Sequence, residues 1–112
     1  MRRARFLART AICIAAAAPV GACFGDKQDP EKRGFELVSK LCSPCHAVTA
    51  ADISKHPQAP PFRTLGQRYR IEALEESLAE GMFTGHPDMP EFTFNPDDIG
   101  AVIAYLKSIQ QK

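Results

Sequence analysis

Cys42 and Cys45 stand two residues apart, and His46 follows at once, in the stretch Leu41-Cys42-Ser43-Pro44-Cys45-His46. This pattern predicts covalent attachment of one c-type haem. A two-residue spacer lets both sulfurs reach the two vinyl groups on one edge of a porphyrin, where each forms a thioether. The adjoining imidazole is then held beneath the iron as a proximal ligand, and a second ligand sets the chemistry. Three competing readings are weaker. A zinc site needs third and fourth ligands at workable spacing, and a His next to a Cys does not easily share one tetrahedral ion with it. A thioredoxin-like redox pair opens a helix in a βαβ unit, whereas this pair follows a helical pattern and no strands are evident. A disulfide between Cys42 and Cys45 would close a very small loop and stabilise little.

The candidate for the opposite face of the iron is Met89, in Met82-Phe83-Thr84-Gly85-His86-Pro87-Asp88-Met89-Pro90-Glu91-Phe92. A thioether is soft, favours Fe(II) and raises the reduction potential above that of a bis-histidine centre. Gly85, Pro87 and Pro90 suit an extended loop that presents sulfur from the far side. His86 is an alternative ligand, and a five-coordinate iron is the remaining reading. Met82, nearer the preceding helix end, reads as core filler. Phe92 and Phe94 are placed to pack on the haem, exclude water and hold the potential up.

These groups need elements to position them. Asp29-Pro30-Glu31 is a helix start, with an Asp N-cap, Pro at the first helical position and an acid in the first turn. Gly34, Phe35, Val38 and Leu41 form its apolar face. A glycine inside a helix costs roughly 0.5–1 kcal/mol relative to Ala, so Gly34 points to close approach of another backbone. Residues Ala47 to Pro61 hold Pro57, Pro60 and Pro61 and read as an irregular loop beneath the haem, with His56 on its surface. Within Thr64 to Glu80, Ile71, Leu74 and Leu78 recur at helical spacing opposite Glu72, Glu75, Glu76 and Glu80, and Gly81 ends that helix. Phe62, Leu65 and Tyr69 are core or haem-wall candidates. Asn95-Pro96-Asp97-Asp98 starts a last helix, whose stripe is Ile99, Val102, Ile103, Leu106 and Ile109, joined by Tyr105.

The first 22 residues read as a cleaved export signal. Arg2, Arg3, Arg5 and Arg9 make a basic start, an apolar run follows, and Pro19 to Ala22 supply small residues at the cleavage site. The run is too short for a membrane span, which takes roughly 20 residues. Val20-Gly21-Ala22-Cys23 also resembles a lipobox, in which a lipidated Cys23 would anchor the protein to the membrane; plain cleavage near Ala22 is the other reading. Residues 23–28 are a linker. Four of the 14 basic residues and none of the 13 acidic ones lie in the leader, so ten bases face thirteen acids beyond it, a net −3. Nucleic acid is an unsuitable partner for that balance. Eight acids and no Lys or Arg fall between Ile71 and Leu106, while seven bases and three acids fall between Glu31 and Arg70. Such asymmetry reads either as two solvated faces or as a dipole that orients the protein toward a redox partner.

Together these features resemble a small class I cytochrome c, from Asp29 to Gln110. The resemblance implies an all-α fold of three to four helices around one covalent haem c, in a domain spanning 29–112. It implies that Gly34, eight residues before the first Cys, lets the first and last helices cross, with Tyr105 meeting that crossing. Val38 stands where the family carries an aromatic or apolar residue. The family orients its ligand histidine on a proline carbonyl in a Gly-Pro-x-Leu turn. Ala59-Pro60-Pro61-Phe62 resembles that turn, which makes Pro60 the candidate acceptor; a stiffened loop is the competing reading. The implied function is a periplasmic one-electron carrier, a non-enzyme, working between respiratory or dehydrogenase partners as a monomer or as a subunit of a redox complex. A haem subunit of an oxidase or dehydrogenase is one alternative. An open-site haem enzyme or gas sensor is another, should Met89 not bind iron. Beyond the leader the chain has about 90 residues, small for a stable core without haem.

Overall fold

The computed structural model of this chain describes residues 28–81 and 86–112. The expected leader, Cys23 and most of the linker lie outside the described residues, as do Met82 and Gly85. The described residues form three α-helices: α1 (Pro30–Leu41), α2 (Leu74–Glu80) and α3 (Pro96–Ser108). Two 3₁₀ turns, Phe62–Gln67 and Ile71–Ala73, precede α2, and no strand occurs among the described residues. The expected all-α class holds.

Local chemistry explains where the helices begin and end. Asp29 accepts a hydrogen bond from the Glu31 N–H at 3.0 Å, and Pro30 occupies the first position, where no N–H is needed. Asn95 and Pro96 repeat the device on α3, with the Asp98 N–H donating to Asn95 at 2.9 Å. Gly81 follows α2 with φ of +99°, a conformation that side-chain-bearing residues avoid.

Helices α1 and α3 pack across each other at Gly34. A Cβ there would collide with the Ala101 backbone carbonyl and come within 2.7 Å of the Tyr105 Cβ. The missing side chain is therefore what sets the crossing distance. The Arg33 guanidinium closes one side, with Nε and Nη2 donating to Asp98 Oδ1 at 3.1 and 3.0 Å. Phe35 closes the other. It is 41% exposed, but its ring stacks obliquely on Tyr105 with centroids 5.3 Å apart. Val38, Val48, Phe62, Leu65, Ile71 and Leu78 form the core with the expected α3 stripe of Ile99, Val102, Ile103 and Leu106.

The helical pattern expected from Thr64 to Glu80 divides. Leu65 O accepts from both the Arg68 and Tyr69 N–H groups at 3.0 Å, and Arg70 is extended. The C-terminal tail holds the first turn in place: Gln110 Oε1 accepts from Gly66 N, and Gln111 N donates to Arg63 O. Tertiary hydrogen bonds thus override the helical period, and only residues 74–80 are α. Ile71 and Leu78 are buried as expected, while Tyr69, 55% exposed, lines a cavity wall rather than the core, the second of its two expected places.

Candidate haem site

The attachment segment forms as a turn continuing from α1. Cys42 N and Ser43 N donate to Val38 O at 2.8 and 3.1 Å; Cys45 N and His46 N donate to Cys42 O at 3.1 and 2.9 Å. One turn therefore carries both sulfurs and the imidazole. Cys42 and Cys45 are half-buried and form no disulfide with each other. Before attachment, burial, with Cys45 beside it, pushes the Cys42 thiol up to about 11.

The chain beyond His46 is fixed on several sides. Ala47 N donates to Ser54 Oγ, and Ala47 O accepts from Phe62 N, both at 2.9 Å. Val48 N and Thr49 N donate to the two oxygens of Asp52 at 3.0 and 2.9 Å. The hydroxyl of Tyr105 donates to Val48 O at 2.7 Å. His46 Nδ1 lies 2.9 Å from the carbonyl oxygen of Pro60. A carbonyl only accepts, so Nδ1 carries the proton and Nε2 keeps its lone pair. Phe62 packs on the imidazole with centroids 4.9 Å apart.

His46 lines a cavity of about 530 Å³ together with Cys42, Cys45 and Met89. Its walls are mainly apolar, from Val38, Leu65, Leu78, Phe92, Phe94 and Leu106 among others. Met89 belongs to a loop in which its N–H donates to His86 O at 3.2 Å. The structure thus gathers Cys42, Cys45, His46, Pro60 and Met89 around one cavity or directly behind it. The donor set suits haem: two thiols on one turn, an imidazole with a free Nε2, a thioether, and apolar walls for a flat macrocycle. Among the described residues no cluster of three or more His, Cys, Asp or Glu is arranged to hold a bare metal ion.

Sequence reasoning missed two things here. His56, expected on the surface, is half-buried at the cavity rim, where its Nε2 lies 3.3 Å from Asp88 Oδ2. Gln58, unremarked in the sequence, also lines the rim and meets His86 Nε2 at 2.6 Å. Both contacts join residues 28 or more apart, beyond the reach of any local pattern.

A helical fold built around a haem-sized cavity with this donor set defines a small c-type haem protein. Residues 31–110 match the cytochrome c family, and the chain belongs to that family. It therefore carries covalently attached haem c, with Cys42 and Cys45 at the spacing the two thioethers require. It is also similar to a cytochrome c-552 of Bradyrhizobium diazoefficiens, 27% identical over 77 residues that cover 69% of this chain and 72% of the relative. No solved structure gives a significant match. Electron carriage by haem is the activity this membership supports.

Proposed function

We propose that this protein is a periplasmic one-electron carrier in which His46 and Met89 are the axial ligands of one haem c. The observation carrying the reading is that His46, with Nδ1 committed to Pro60, and Met89 line the same apolar cavity. When bound, the haem supplies a one-electron iron couple. The chain's part is to hold both ligands still, so that little rearranges between oxidation states. The Pro60 carbonyl orients His46 and raises its basicity. Phe92 and Phe94, 6.3 Å apart at the cavity wall, exclude water from the Met89 side.

Residues 1–22 act as the export signal, 23–28 as a linker and 29–112 as the haem domain. A lipidated Cys23 would tether that domain to the membrane. Donor and acceptor are redox proteins of a respiratory chain or a dehydrogenase, approached through the charge asymmetry between the two halves of the sequence. Intact mass spectrometry of the mature protein reads haem count, cleavage point and acyl chains together. A visible spectrum tests the ligand set: the ferric protein should show the weak far-red band of a methionine–iron bond, and the ferrous protein should resist carbon monoxide. Absence of that band with rapid carbon monoxide binding would overturn the carrier reading in favour of an open-site protein.

A further inference from the structure

We propose that His56, Gln58, His86 and Asp88 form a clasp across the cavity rim that positions the Met89 loop. Resting on the reading of Met89 as an iron ligand, this inference assigns the loop's restraint to residues that touch neither iron nor sulfur. His56 and Gln58 belong to the segment on the His46 side of the cavity, and His86 and Asp88 to the segment on the Met89 side. The His46-side segment is anchored, since His56 N donates to Cys45 O at 3.1 Å and Ala59 N to His56 O at 3.1 Å.

Hydrogen-bond polarity follows from the partners. Gln58 N–H donates to His56 Nδ1 at 3.2 Å, so that nitrogen holds the lone pair and the ring proton sits on Nε2. Nε2–H then donates to the Asp88 carboxylate at 3.3 Å. His86 Nε2–H donates to the side-chain oxygen of Gln58 at 2.6 Å. The two rings meet edge to face, with centroids 5.6 Å apart. The clasp therefore crosses the rim twice, once to each side of Pro87, and His86 O also accepts the Met89 N–H. Asp88 is bonded directly to Met89 along the chain. Within the described residues, the clasp supplies the side-chain hydrogen bonds that tie residues 86–90 to the opposite wall.

The test uses ferric holoprotein and imidazole as a competing ligand. Imidazole can reach the iron only when the sulfur leaves, so its affinity reports how firmly the loop holds. Asp88→Ala and His56→Ala should each tighten imidazole binding about tenfold, the factor matching one hydrogen bond of about 1.4 kcal/mol. The double variant should be no tighter than His56→Ala alone, because that single already removes the Asp88 bond, along with the bond from Gln58 N–H and the ring contact with His86. Asp88→Asn keeps an oxygen acceptor for His56 and should bind imidazole as the parent does. Gln58→Leu breaks the second crossing and should also tighten binding. If the parent shows the far-red methionine band and all these variants bind imidazole at parental affinity, the clasp is overturned while the ligand reading stands. If the parent lacks that band, the ligand reading fails and the clasp with it.

Discussion

The Tyr105 hydroxyl donates to the Val48 carbonyl at 2.7 Å, tying the last helix to the chain two residues beyond His46. Both residues are buried. A buried carbonyl that loses its donor bears its desolvation cost alone, about 1–3 kcal/mol. Tyr105→Phe should therefore lower stability by about that amount in urea denaturation, with the ring packing kept. Burial, and secondarily the Asp52 charge, pushes the Tyr105 hydroxyl above its ordinary pKa. A raised pKa means the fold favours the neutral phenol. That stabilisation is complete below the unfolded value of about 10 and fades as pH rises through the folded one. The stability gap between parent and Tyr105→Phe should accordingly narrow in the alkaline limb.

Asp52 should show the opposite sign. Partial burial pushes its carboxyl up, but hydrogen bonding to Thr49 and the N–H groups of Thr49 and Val48 outweigh it and hold the carboxyl below the usual range. The stabilisation is present above the unfolded value of about 3.9 and is lost as pH falls through the folded one. Asp52→Asn should be less stable than the parent at pH 7. The two should converge in acid, as followed by thermal melts across pH.

Two helical glycines should respond in opposite ways to the same change. Gly34→Ala forces a methyl into the Ala101 carbonyl and the Tyr105 Cβ. Overpacking of this kind costs about 1–3 kcal/mol, and holoprotein yield should fall with it. Gly100, on α3, has nothing within 4 Å of a built Cβ. Gly100→Ala should stabilise by up to about 1 kcal/mol through helix propensity alone. Urea midpoints of the two variants decide both halves.

Gln110 should matter more than its place near the end of the chain suggests. Its Nε2 donates to Phe62 O at 2.8 Å and to Leu106 O at 2.7 Å, while Oε1 accepts from Gly66 N. Gln110→Ala removes all three bonds at the turn whose Phe62 packs on His46. A loss of about 1–2 kcal/mol is expected in chemical denaturation, where a surface substitution would change little.

Much of this molecule is legible in its sequence because its rules act over short spans. The two caps, the turn carrying Cys42 to His46 and the stripe of α3 depend on neighbours within a few residues. Gly34 is readable because a mid-helix glycine is costly enough to need a reason. The division of residues 62–80 is not readable, since the tail at Gln110 and Gln111 imposes it from afar. His56 escapes for a related reason. Its partner, Asp88, lies 32 residues on, and no periodicity links an irregular loop to another. Of the two places expected for Tyr69, core or haem wall, it takes the wall.

The pairing of α1 with α3 also dictates an order of events. Arg33 and Asp98 meet across 65 residues of sequence, and the Gly34 notch receives the same distant helix, α3. Closing so long a loop is entropically costly and is rewarded only when α3 arrives. Until α3 docks, Cys42, Cys45 and His46 stand on a chain whose core is still open. Docking of α3 is thus the non-local step that closes the core over the attachment turn.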